Sequence, residues 1–113
     1  MSKHDDRISM RHMLDYARQA CVMARGRKRS DLESDYMFQL ALTHLVEIVG
    51  EAASRVSMPT RERHCEIPWP NIVGMRNRLI HGYDVVDLNL LWDTVTTDLP
   101  PLIAALEGIV EGK

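Results

Sequence analysis

Apolar residues recur along this chain at helical spacing, in four runs separated by polar or proline-containing connectors. In the first run Met10, Leu14, Ala17, Cys21 and Ala24 form one stripe. They predict an amphipathic helix from Arg7 to about Arg25, with Asp5 and Asp6 at its electropositive N-terminus. The second run opens with Ser30-Asp31-Leu32-Glu33, a capping-box pattern in which Ser30 caps and Glu33 reaches back. Its helix is expected to reach about Ser57. Phe38, Leu42, Leu45, Val49, Ala52 and Val56 form a heptad-like seam. Met37, Leu40, Ala41, Ile48 and Ala53 widen that seam well beyond one stripe. A helix apolar over so much of its circumference is central in a bundle or shared with a partner subunit.

Met58 to Ile67 reads as a loop. Pro68-Trp69-Pro70 then forces an extended approach, because residues before proline avoid the helical region. Pro70 suits the first turn of a short third helix, and Trp69 is expected to plug one end of the core. Ile72, Met75 and Leu79 mark that helix's apolar face. Gly82 is expected to end it, because glycine enters the left-handed conformation without steric cost, which puts His81 in the last turn. Asp87 can cap the final helix, where Leu88, Leu91, Val95, Leu99, Leu102, Leu106 and Ile109 keep helical spacing. Pro100-Pro101 predicts a kink or a restart near Leu99. No alternating run suggests a strand. The sum is a single all-α domain over residues 1–113, an antiparallel four-helix up-and-down bundle with a short third helix and a bent fourth.

Composition narrows the functional classes. Of 113 residues, 45% are hydrophobic and only 5% aromatic, so the core is aliphatic. The net charge of -2 argues against a general nucleic-acid coat, while a local basic cleft is still allowed. No apolar run approaches the roughly 18 residues of a membrane span, and residues 1–7 lack the apolar core of a signal peptide. A cytoplasmic protein is expected. Cys21 and Cys65 belong to no CxxC pair, which argues against zinc. His64 and Cys65 are adjacent, so their side chains diverge and they do not form a dyad. Glu47 and Glu51 lie one turn apart but lack a matching ligand pattern, and a solvated face is expected. His44, amid apolar neighbours, reads as a core or interface histidine. The basic run Arg25-Gly26-Arg27-Lys28-Arg29 reads as a loop, with a phosphate-contacting rim as its functional alternative.

The densest chemistry is Arg76-Asn77-Arg78-Leu79-Ile80-His81-Gly82-Tyr83. At about 100° per residue, Arg76 sits at the edge of the apolar arc and His81 nearly opposite its centre, with Asn77 between. Arg76 and His81 are five apart and do not share one face, but a second copy of the helix would bring two such pairs together. An Arg and a His with no metal cluster suit metal-free RNA cleavage, because the 2′-hydroxyl is an internal nucleophile. His81 would move protons near neutral pH, Arg76 would offset charge on the phosphorane-like transition state, and Asn77 would bind phosphate or hold the imidazole tautomer. Such chemistry wants both a base and an acid, which a two-fold dimer would supply.

The run Ile67-Pro68-Trp69-Pro70-Asn71-Ile72-Val73-Gly74-Met75-Arg76-Asn77-Arg78-Leu79-Ile80-His81-Gly82-Tyr83 resembles the HEPN domain of the HepT-like family. Val49-Gly50-Glu51-Ala52-Ala53, Leu91-Trp92 and Asp98-Leu99-Pro100 match it too, so the likeness covers nearly the whole chain. The resemblance implies a homodimeric ribonuclease toxin of a type VII toxin–antitoxin pair, with Arg76 and His81 catalytic, Asn77 in support and no cofactor. It implies a partner nucleotidyltransferase of the MntA type that silences the toxin by attaching AMP to Tyr83. Arg78, Arg27, Lys28 and Arg29 are further candidate RNA contacts, the last three outside the family motif. The competing expectation is a HEPN module that binds nucleotide or RNA without cleaving it.

Overall fold

The computed structural model describes residues 5–81 and 85–113, His81 by its backbone alone. The chain folds as an all-α bundle. Helix α1 spans Asp6–Ala24, and its N-cap Asp5 accepts a hydrogen bond from the Arg7 amide at 2.9 Å. Its buried face carries Met10, Met13, Leu14, Ala17, Ala20 and Ala24, while Cys21 is half-buried.

The second helical segment departs from its expected boundaries. A single turn, α2 (Asp31–Ser34), comes first, and the long helix α3 (Tyr36–Ser54) starts afresh. Ser30 takes helical backbone angles and makes no capping bond. Its expected reciprocal partner Glu33 instead pairs with Arg29 at 2.9 Å. Asp35 is extended and accepts from the Phe38 amide at 3.1 Å, so Asp35 is the true cap. Helix α3 ends at Ser54, three residues short of expectation. The segment read as a loop contains α4 (Met58–Arg63), whose start is bound to α1: Asp6 accepts from the Ser57 amide at 3.0 Å and from the Thr60 hydroxyl at 2.5 Å.

The third helix is two short ones, α5 (Trp69–Val73) and α6 (Met75–Leu79), meeting at Gly74. Trp69 is buried as expected, its indole donating to the His64 carbonyl at 3.0 Å. The helix does not continue to Gly82. Ile80 turns extended, and β1 (Ile80–His81) pairs antiparallel with β2 (Val85–Val86), Ile80 opposite Val86 and His81 opposite Val85. The carbonyl of Leu79, which in a longer helix would accept from residue 83, accepts from the Asp87 amide at 2.8 Å. Branched residues at 80, 85 and 86 favour this extended pairing. His81 therefore lies on a strand rather than in the last turn of a helix.

Asp87 caps α7 (Leu88–Asp93), accepting from Leu90 at 3.0 Å. A π turn over Thr94–Asp98 leads into α8 (Leu99–Leu106), which has proline in its first turn, and a second π turn over Glu107–Glu111 closes the rod. The hydrogen-bond register changes at Leu99, just before the prolines, while the backbone stays helical through it. Lacking N–H groups, Pro100 and Pro101 leave the carbonyls four residues earlier without their usual donors. The wide turn accommodates this, with Leu99 donating to Thr94. The Cys21 thiol contacts the Val95 carbonyl at 3.6 Å. Burial pushes that thiol's pKa up.

The core lies where α1 packs against α3 on one side and the last rod on the other, with α5 and α6 against α3. Leu91, Val95, Leu99, Leu102 and Leu106 are buried as expected. At the end of the last rod, Glu111 bonds Arg18 at 2.8 Å and Arg11 at 2.8 Å, and Glu107 bonds Arg18 at 2.6 Å. These bonds hold the Glu111 carboxyl far below the usual glutamate range and raise the Arg18 guanidinium. Because the folded value is depressed, the stabilisation is present above the unfolded glutamate pKa and is lost as pH falls. Glu111→Gln is expected to lower the melting temperature near pH 7 and to flatten its decline between about pH 5 and about pH 3, read by circular dichroism. An unchanged pH profile would rule out this clamp.

Candidate functional site

The site is built on the contact between α6 and α3. Gly50 of α3 faces the α5–α6 junction so closely that a Cβ there would lie 3.0 Å from the Ile72 carbonyl oxygen and 3.8 Å from the Met75 Cβ. Glycine lets the short helices come this near without the Ile72 carbonyl having to give way. Buried Ile72, Met75 and Leu79 complete the contact.

That approach brings Arg76 over α3 one turn before Gly50. The Arg76 Nε donates to Glu47 Oε2 at 2.9 Å. The arginine side chain is 66% exposed and the glutamate 25%. An exposed pair of this kind contributes little stability. Its effect is orientation: Nε is engaged, while the terminal nitrogens have no partner among the described residues and are left to fork onto two oxygens of a phosphate. Glu47, expected on a solvated face, is thus the site residue that sequence reasoning missed. Spacing could not reveal it, because its partner lies 29 residues away.

Asn77 is exposed beside Arg76. Arg78 points to the other flank of α6, where it donates to the Asn71 carbonyl at 2.6 Å. There it lines a cavity of about 270 Å³ between α5–α6 and the π turn, with Met75, Thr97, Asp98 and Leu102. The structure therefore separates Arg78 from Arg76. His81 follows two residues after the end of α6, on β1. Tyr83 lies outside the described residues.

Helix α3 carries a further feature. His44 is exposed rather than buried, and with Met37, Leu40 and Ile48 it forms an outward face that continues to Glu47 and Glu51. This is the surplus apolar width that the sequence pattern indicates. Met37 is 80% exposed and Leu40 50%.

The basic loop is partly occupied by its own acids. Arg27 pairs with Asp35 at 3.0 Å and with Asp31 at 3.3 Å, and its guanidinium lies 4.0 Å from the Phe38 ring centroid. Arg29 pairs with Glu33 and also donates to the Asn89 side chain on α7. Among the described residues, Arg25 and Lys28 are exposed and form no salt bridge. No group of three or more metal-ligating side chains converges among the described residues, and no helix among them is long and apolar enough to cross a membrane.

Comparison with known proteins matches residues 13–109 to the family described as ribonuclease HepT-like. A protein of Thermococcus cleftensis named as a probable ribonuclease HepT is 38% identical over 79 residues, covering 70% of this chain and 72% of its own. A protein of Methanocaldococcus jannaschii named as a candidate RNase is 31% identical over 107 residues, covering 95% of this chain and 98% of its own. Another so named, from Caldanaerobacter subterraneus, is 29% identical over 102 residues, covering 90% and 91%. No solved structure matches the chain.

Proposed function

The chain belongs to the HepT-like ribonuclease family, and from that membership we propose that it is an endoribonuclease toxin cleaving RNA by metal-independent transesterification. The observation that carries the reading is Arg76: an exposed guanidinium, oriented through Nε by Glu47, with its terminal nitrogens open to a phosphate. In the proposed reaction the 2′-oxygen attacks phosphorus. The P–O2′ bond forms and the P–O5′ bond breaks, giving a 2′,3′-cyclic phosphate and a 5′-hydroxyl. One proton leaves the 2′-hydroxyl and one reaches O5′. His81 moves a proton, Arg76 offsets the charge that builds on the phosphoryl oxygens, and Asn77 binds phosphate or orients the imidazole.

A single imidazole serves one of these two proton transfers well. The active unit is accordingly a homodimer in which two copies of the Arg76–His81 segment face one phosphodiester. The outward face of α3, with Met37, Leu40, His44 and Ile48 beside the Glu47–Arg76 pair, supports this arrangement: burying it in a two-fold contact removes apolar surface from water. Regulation in this reading falls on Tyr83. A partner nucleotidyltransferase of the MntA type joins the tyrosine oxygen to the α-phosphorus of ATP and releases pyrophosphate, and the added phosphate charge opposes an incoming RNA.

Purified protein is expected to cleave RNA in EDTA, and Arg76→Ala and His81→Ala are each expected to lose at least about 100-fold in rate while keeping the wild-type melting temperature. Equal cleavage by all three proteins would trace the activity to a contaminant and sink the enzyme reading. Leu40→Glu is expected to sediment as a monomer and to lose cleavage with it. A fully active monomer would remove the dimer from the scheme. Co-expression with a neighbouring nucleotidyltransferase is expected to add the mass of one AMP to the Tyr83 peptide, and an unmodified peptide from an inactivated protein would refute that route.

A further inference from the structure

Helix α3 links the basic loop to Arg76: Arg27 bonds its cap residue Asp35, and Arg76 bonds Glu47 further along it. Tyr36 opens α3 directly after Asp35, the carboxylate that anchors Arg27 of the loop. Its side chain belongs to a residue that is 65% exposed, unusual for an aromatic in a chain with so few of them. Eleven residues separate Tyr36 from Glu47. At about 100° per residue, eleven steps return to within roughly 20° of the same direction, about 16 Å further along the helix. Tyr36 therefore stands on the flank of α3 that also carries Glu47 and, across it, Arg76.

The loop is fastened at two places. Arg27 ties it to Asp31 and Asp35, and Arg29 ties it to Glu33 and to Asn89. Asn89 is the second residue of α7, three positions after the strand residue Val86. The loop is thus held beside the root of the hairpin whose first strand carries His81. The three nearby carboxylates, Asp31, Glu33 and Asp35, are engaged by Arg27 and Arg29. Arg25 and Lys28 remain exposed with no salt bridge among the described residues.

Cations on a braced loop beside an exposed aromatic ring, in line with a phosphate-facing arginine, have the chemistry of a single-stranded nucleic-acid track. The cations follow the backbone and the ring stacks on a base without regard to its identity. We propose that Arg25, Lys28 and Tyr36 form an accessory subsite for single-stranded RNA, holding nucleotides that flank the scissile bond. This inference rests on the ribonuclease reading above. Arg27 and Arg29, engaged within the loop, shape the subsite rather than contact the strand.

The test compares a labelled single-stranded RNA of about a dozen nucleotides with a dinucleotide substrate, following cleavage and, by fluorescence anisotropy, binding of the longer strand over a range of salt concentrations. Wild type is expected to prefer the longer strand. Tyr36→Ala is expected to cut that preference by roughly five- to tenfold or more, mainly through KM, with Tyr36→Phe restoring it because stacking needs only the ring. Arg25→Ala with Lys28→Ala is expected to reduce the salt slope of binding by about 1.4, since each single-strand phosphate contact contributes roughly 0.7. If wild type cleaves both substrates and these variants keep both the length preference and the salt slope, the subsite is disproved while the ribonuclease reading stands. If Tyr36→Ala instead changes the sedimentation of the protein and not its RNA preference, the ring belongs to a protein contact and the proposal is overturned. If wild type neither cleaves nor binds RNA, the ribonuclease reading itself fails.

Discussion

The arrangement of this protein depends on how closely α6 can approach α3. The Ile72 carbonyl oxygen of α5 would lie only 3.0 Å from a Cβ at position 50, and Gly50 has none. Packing at this range is unforgiving, because interiors are filled to crystal-like density and a single added carbon has to be absorbed by moving backbone. The Glu47–Arg76 pair lies one turn from the contact, so its geometry follows from the same approach. An exposed ion pair would not fix a helix by itself. The buried apolar residues around Gly50 fix the helix, and the pair then orients one side chain on it.

The last helical rod meets a different constraint. Two consecutive prolines inside a buried helix would ordinarily disrupt it. Here the ladder shifts by one residue just before them, so that Leu99 bonds to Thr94 and α8 restarts with proline where its missing N–H costs least. The Cys21 thiol lies against one carbonyl of the widened turn. This half-buried cysteine therefore has a packing role that neither metal binding nor disulfide chemistry would require. Further along, Arg18 and Arg11 hold the end of the rod to α1 through Glu107 and Glu111.

Charge is distributed to match. The net charge is slightly negative, and many cations are engaged by carboxylates within the fold: Arg27, Arg29, Arg11 and Arg18 all have acidic partners. Arg76 also has one, yet only through a single nitrogen, and it stays open to solvent. Positive potential is thereby confined to a few outward-facing groups. A weakly acidic chain can meet a polyanion in this way without being a general nucleic-acid coat.

Periodicity by itself determined that the chain is helical, which faces are buried, and that α3 has more apolar width than one core contact uses. Side-chain chemistry at termini located the start of the first helix at Asp5 and Asp6, Asp87 as a cap and an irregularity near Leu99, because these effects act within one turn. The Arg76 motif was legible for the same reason, being contiguous. Three features depended on distant residues. Asp35, held by Arg27 of the preceding loop, caps α3 in place of Ser30. The short helix stopped at Leu79 because the Asp87 amide, eight residues on, took the carbonyl that the helix would have used. Glu47 became part of the site because Gly50 allowed α6 to settle above it. Local spacing records which conformations a segment tolerates, whereas the choice among them fell to hydrogen bonds and close contacts formed only once the chain had folded back on itself.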